Sequence, residues 1–173
     1  MSTSDPQSQS IATNGVEEVT PWAEARDQFA NAPRYWLATK GPDGRPHVMP
    51  LFGVWLDDAL YFTANAATRK ARNLASDTRC VIAASGDDFD LIVEGEAVRE
   101  RDEPTIRRIA DVYDSKYGWS LTVRDDGAFD APFGAPSAGR PPYEPYRFDP
   151  HLAFGLGMTE PFAATKWRFP DRT

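Results

Sequence analysis

Apolar residues recur at every second position through 89–101, where Phe89, Leu91, Val93, Gly95 and Ala97 fall on one side of the chain. That period of two is the mark of a half-buried β-strand. Residues 34–40, 47–56, 59–63 and 78–85 carry the same aromatic and β-branched enrichment. The turn formers Gly41-Pro42-Asp43-Gly44, Asp57-Asp58 and Gly86-Asp87-Asp88 separate them. The first three of these strands read as an antiparallel meander. Pro50 cannot donate to a ladder, which places it at an edge or a bulge. Three further strands are predicted at 143–148, 152–157 and 165–169.

Helical spacing appears in three places. Thr20 as cap, Pro21 at the first position and Glu24 in the first turn predict a helix that ends near Asn31, with Trp22, Ala25 and Phe29 on one face. Arg69–Ser76 carries a short stripe of Ala71, Leu74 and Ala75. Glu103–Tyr117 is the longest helix, with Ile106, Ile109, Ala110, Tyr113 and Tyr117 on its apolar side. Short hairpins among many strands imply an antiparallel barrel or sandwich rather than a parallel nucleotide-binding sheet. Residues 1–20 read as a flexible Ser/Gln-rich lead-in, and 21–173 as one domain. Residues 118–143 hold four glycines and four prolines. A stretch this long without elements of its own is commonly a lid or a binding loop, and it is expected to be mobile beside a pocket.

Composition narrows the function. The 173 residues carry 19 Lys and Arg against 26 Asp and Glu, a net charge of −7. Nucleic-acid binding needs clustered cations, so this chain is not expected to bind DNA or RNA, nor an anionic membrane. One cysteine and two histidines exclude an intrachain disulfide and the usual structural zinc sites. The longest apolar run, 48–56, is broken by Pro50 and Gly53, and no signal segment is visible; the expectation is a cytoplasmic protein.

No GxGxxG, phosphate-loop, HExxH or GxSxG pattern occurs. The densest local chemistry is Thr68-Arg69-Lys70-Ala71-Arg72-Asn73. Three cations in the first turns of a helix oppose its dipole, and a bound anion would reverse that sign. The alternative is a solvated basic face. His47-Val48-Met49-Pro50-Leu51 is the second feature: a proline in mid-strand leaves backbone groups for the edge of a flat ligand, or simply marks an edge strand. His47 is a candidate proton donor. Trp36, Trp55 and Trp167 are candidates for stacking or for core.

Taken in order, Trp36-Leu37-Ala38-Thr39, Gly41–Pro50, Leu60-Tyr61-Phe62-Thr63, Thr68–Leu74, Val93-Glu94-Gly95-Glu96-Ala97 and Ala164–Phe169 resemble the pyridoxamine 5′-phosphate oxidase-like superfamily of flavin/deazaflavin oxidoreductases. The resemblance spans about residues 21–169. It implies a mainly β fold, a six-stranded antiparallel Greek-key split barrel with flanking helices. It also implies a homodimer with cofactor sites at the interface, holding coenzyme F420 or FMN. Arg69, Lys70 and Thr63 would hold the cofactor phosphate, with Asn73 assisting. His47, Met49, Pro50 and Leu51 would run along the ring, and Trp167 and Arg168 would reach across the dimer. No metal and no catalytic side chain are implied. The helix and the ending look closer to the bacterial deazaflavin-using branch than to true pyridoxamine phosphate oxidases, whose terminal Arg-Leu-x-Pro is not found. The activity implied is hydride transfer between the ring and a small unsaturated organic substrate. A non-catalytic binder of flavin or haem is the alternative.

Overall fold

A computed structural model describes residues 5–135 and 139–170. Three helices, α1 (Trp22–Asn31), α2 (Arg69–Ser76) and α3 (Glu103–Tyr117), flank a mainly antiparallel sheet. Its strands are β1 (Gln7–Ser10), β2 (Tyr35–Lys40), β3 (Pro46–Leu51), β4 (Gly53–Leu56), β5 (Ala59–Ala64), β6 (Arg79–Ser85), β7 (Phe89–Arg99), β10 (Glu144–Gly157) and β11 (Ala164–Arg168). They run in the order β1-β11-β10-β7-β6-β2-β3, with the β4–β5 hairpin joined to β10 through β5. A separate hairpin pairs β8 (Thr122–Val123) with β9 (Phe129–Asp130). This is the split-barrel architecture in the mainly β class.

Strand β10 closes the barrel. Its first half pairs with β5, its second half with β11, and β7 lies along its other side throughout. The two strands predicted at 143–148 and 152–157 are therefore one. His151 bulges out between Pro150, opposite Gly95, and Leu152, opposite Glu94. A β-carbon on Gly95 would sit 2.2 Å from the Asp149 carbonyl oxygen, so only glycine allows β7 to approach the bulge.

The predicted strand 47–56 is broken in two at Phe52, because α3 takes its backbone groups. The Tyr113 hydroxyl donates to the Phe52 carbonyl at 2.9 Å. The Gly53 N–H donates to the Tyr117 hydroxyl at 3.2 Å, and Lys116 Nζ donates to the Gly53 carbonyl at 3.0 Å. Before the break β3 pairs with β2; after it β4 pairs with β5. The expected meander is thus two hairpins belonging to two sides of the barrel. β3 lies at the end of the strand order, where Pro50 removes no needed hydrogen bond.

Two apolar clusters form. The barrel interior gathers Phe29, Tyr35, Leu37, Phe62, Phe148 and Trp167 among others. The second cluster lies between α3 and the outer side of β4–β5, with Tyr113, Trp119, Phe129 and Tyr143. Residues 118–143 supply three of those four rings, and Trp119, Phe129 and Tyr143 are buried. This stretch is a packed satellite with its own hairpin rather than the structureless loop expected; its residues 136–138 lie outside the described ones.

The start of the chain also departs from expectation. Gln7–Ser10 pair with β11, covering its edge, although residues 1–4 lie outside the described ones. Thr20 does not cap α1. Its N–H donates to Thr165 Oγ1 at 2.9 Å and its carbonyl accepts from Trp167 Nε1 at 3.1 Å. Pro21 takes the cap position instead, without a side-chain bond.

Candidate functional site

Helix α2 starts where β5 ends. Thr68 caps it, its Oγ1 accepting from the Ala71 N–H at 3.4 Å. Arg69 at the first position is exposed. Lys70 is turned inward and only 2% exposed. Burial disfavours its charged form and brings its pKa down to about 8. Asn73, one turn on, is equally buried, and its Nδ2 donates to Thr39 Oγ1 at 2.9 Å. That bond ties α2 to β2.

Thr39 stands opposite His47 in the β2–β3 register, so both side chains face α2. His47 Nδ1 is buried with no hydrogen-bond partner. Desolvation, and then the charges of Arg69 and Lys70, push the His47 pKa down. The imidazole is therefore neutral at pH 7. Arg69 and Arg72 make no ion pair among the described residues. An arginine, a buried lysine and a histidine with an orphaned nitrogen thus converge at one helix N-terminus. Such a set fits a phosphate: a planar fork, a point charge and a neutral donor around helix N–H groups.

The structure brings together His47, Arg69, Lys70 and Asn73, and adds Thr39, which sequence reasoning missed. Met49 lies two residues along on the same face as His47. Other expected ligands are elsewhere. Thr63 is buried on the side of β5 that carries Ala59 and Tyr61 and packs against α3, so it does not face the cations. Leu51 is part of the barrel core. Trp167 is fully buried, packed edge-on against Trp22 at 5.7 Å, and a β-carbon at Gly155 would meet its ring at 2.5 Å. It is core and offers no face to a cofactor. Pro50 points to the opposite side of β3 from His47. Arg168 is exposed on β11, aligned with Leu152 and Gln7 and away from the α2 cluster.

The outer sheet face is a second feature. Aligned pairs place Pro50, Trp36, Ala83, Ile92 and Phe154 in one row across five strands. Trp36 is 46% exposed and the neighbouring Val48 53%. Beside this row lies a groove of about 530 Å³ whose lining includes Lys40, Pro46, Arg79, Glu94 and His151. The signal for this face was present in sequence: β2 and β3 carry large apolar residues at alternate positions of both parities.

Among the described residues no three His, Cys, Asp or Glu side chains gather as a metal site. No helix among them is long and apolar enough to cross a membrane.

Comparison with known proteins agrees with this architecture. No curated protein is similar in sequence. A candidate 5-nitroimidazole antibiotic resistance protein of Bacteroides thetaiotaomicron superposes with a TM-score of 0.60 at 13% identity, over 99% of this chain and 96% of its own. A protein of Clostridium acetobutylicum related to general stress protein 26 gives 0.58 at 12% identity, over 84% and 92%. The haem storage protein HutZ of Vibrio cholerae gives 0.55 at 19% identity, over 75% and 89%. At these identities the likeness is one of fold. The sequence profile described as pyridoxamine 5′-phosphate oxidase matches residues 21–147, from the start of α1 into β10. With most of the chain matched and the barrel in place, the protein belongs to the pyridoxamine 5′-phosphate oxidase family.

Proposed function

We propose that this protein is a flavin- or deazaflavin-dependent oxidoreductase whose cofactor phosphate is anchored at the start of α2. The observation that carries the reading is the convergence of Arg69, buried Lys70 and the orphaned His47 Nδ1. Burying a cation costs free energy, and a phosphate bound beside Lys70 would offset part of that cost.

The bound ring would supply hydride transfer to or from a small unsaturated substrate. The chain's own residues bind, orient and exclude water. Arg69 and Lys70 hold phosphate oxygens. His47, neutral before binding, gives an N–H to the same group, and its pKa rises as the anion arrives. Asn73 and Thr39 fix the distance between α2 and β2. The β3 edge beyond His47, where Met49 shares its face, would flank the ring. FMN and coenzyme F420 both meet these demands, and the likeness of α2 to the deazaflavin-using branch favours F420.

A second copy of the chain covers the apolar row on the outer sheet face, giving a homodimer. A solvated antiparallel face is ordinarily polar, and five aligned apolar positions are a surface to be buried. The rival reading is a non-catalytic binder of flavin or haem, a role that the fold shared with HutZ brings to mind.

The test is titration of purified protein with FMN, F420 and haem, followed by assay of the tight binder for hydride transfer to an enone. The reading expects FMN or F420 to bind, and Arg69→Ala to weaken that binding about ten- to a hundredfold. Arg72→Ala should change it far less. Equal affinity of wild type and Arg69→Ala removes the anchor. Tight haem binding without flavin or deazaflavin binding favours the rival.

A further inference from the structure

The returning limb of the 118–143 satellite ends at α2. Asn65 Nδ2 donates to the Arg140 carbonyl at 2.8 Å and to the Pro142 carbonyl at 3.1 Å. Asn65 is itself fixed: its Oδ1 accepts from the Ala67 N–H at 2.8 Å, and its carbonyl accepts from the Thr68 hydroxyl at 2.7 Å. Gly139 lies so close that a β-carbon there would stand 3.7 Å from Asn65 Cβ and 3.8 Å from Thr68 Cγ2. Thr68 is the cap of α2 and the residue before Arg69. The backbone of Arg140 is therefore stapled beside the phosphate anchor by one asparagine.

Arg140 is exposed and makes no ion pair among the described residues. Among the described residues Arg34, Arg101 and Arg168 are likewise without one, but no such staple is seen holding them beside α2. Arg99, Arg107, Arg108 and Arg124 all lie against carboxylates. Arg69 and Arg140 have none and lie at the start of α2. The His47 Nδ1 without a partner, on the facing strand, belongs to the same anchor.

We propose that Arg140 is a specificity residue of the anion site, delivered by the 118–143 satellite and positioned by Asn65, and that it selects ligands bearing phosphate over their uncharged counterparts. This rests on the reading of α2 as a phosphate anchor. A guanidinium reaches its target through a long flexible stem, so a fixed backbone beside the anchor gives it the range to meet a phosphate oxygen. The satellite then has a role beyond packing, since it ties the anion site to the second apolar cluster.

The experiment measures dissociation constants for FMN, F420 and riboflavin, the last being FMN without its phosphate. Variants are Arg140→Ala, Arg140→Lys, Asn65→Ala, the double variant of Asn65→Ala with Arg140→Ala, and Arg69→Ala as reference. Thermal melts check folding of each. Arg140→Ala is expected to weaken FMN or F420 binding about three- to tenfold, with the loss shrinking in high salt. Riboflavin binding should not change, and Arg140→Lys should restore part of the loss. Asn65→Ala should weaken phosphate-ligand binding similarly and add little in the double variant, since it acts through Arg140. If Arg140→Ala matches wild type while Arg69→Ala loses affinity, the inference is overturned and the anchor stands. An equal loss for riboflavin also overturns it. Should Arg69→Ala be without effect, or wild type bind neither FMN nor F420, the anchor itself falls and this inference with it.

Discussion

Replacing Lys70 by methionine separates a functional cation from a structural one. The side chain is 2% exposed, and burial lowers its pKa from about 10.5 to about 8. At 1.36 kcal/mol per tenfold, that fall is a penalty on the order of 3 kcal/mol for keeping the charge inside the ligand-free protein. The penalty is whole at pH 7, where the lysine is protonated both folded and unfolded. From pH 8 to 10.5 the unfolded chain holds the proton and the folded one does not, so stability rises with pH across that window. Methionine fills a similar volume without charge. Losing the contacts Lys70 makes offsets part of the gain, so Lys70→Met is expected to stabilise the ligand-free protein at pH 7 by about 1–3 kcal/mol. For a chain of this size that raises the melting temperature by a few degrees to about 10 °C. The same change removes a charge-assisted bond to phosphate and should weaken FMN or F420 binding about ten- to a hundredfold. Urea unfolding followed by tryptophan fluorescence, with and without ligand, reads both effects. A variant that is less stable without ligand and binds as wild type does would refute the reasoning, because Lys70 would then serve the fold.

For Lys116 the opposite change is expected. Burial brings its pKa to about 8 as well, and its Nζ reaches the Ala30 carbonyl at 2.8 Å, Gly53 carbonyl at 3.0 Å and Tyr35 hydroxyl at 3.1 Å. Lys116→Met should destabilise by about 1–3 kcal/mol in the same urea experiment, by stranding those acceptors. Both lysines lead to wild-type stability that climbs from pH 8 towards 10 and then falls. Above pH 10 the unfolded tyrosines ionise while burial holds Tyr35 and Tyr113 neutral in the fold; a flat profile in pH-dependent melts would count against both assignments. Trp167→Ala should cost about 3–5 kcal/mol, the usual range for emptying a buried tryptophan site, and an effect confined to ligand binding would return Trp167 to the site. Trp36→Glu puts a charge into the outer apolar row and should give a folded monomer by light scattering, whereas an intact dimer would place the interface elsewhere.

What could be read from the chain depended on how local its causes were. Helix α3 matches its predicted span, Glu103–Tyr117, because both ends are coded within a few residues. Asp102 Oδ2 accepts from the Thr105 N–H at 3.0 Å, and Gly118 takes the left-handed conformation at φ 61°. Strand β7 matches because alternation alone decides which side is buried. The break after Leu51 is different. Nothing in His47–Leu56 announces it, since the groups that hold Phe52 and Gly53 belong to Tyr113, Lys116 and Tyr117, some sixty residues on. Thr63 fails as a phosphate ligand for the same reason, as the face of β5 that carries it packs against α3. Strand β1 was invisible because Gln-Ser-Gln-Ser carries no apolar pattern, only backbone groups that β11 can pair. Within the candidate site the division repeats. Arg69, Lys70 and Asn73 share one helix and were legible as a set. Thr39 and His47 join them through strand register, and Arg140 through a staple from Asn65 that sequence distance conceals. Local spacing thus reveals where the charges are concentrated, and the long-range pairings determine which of them face one another.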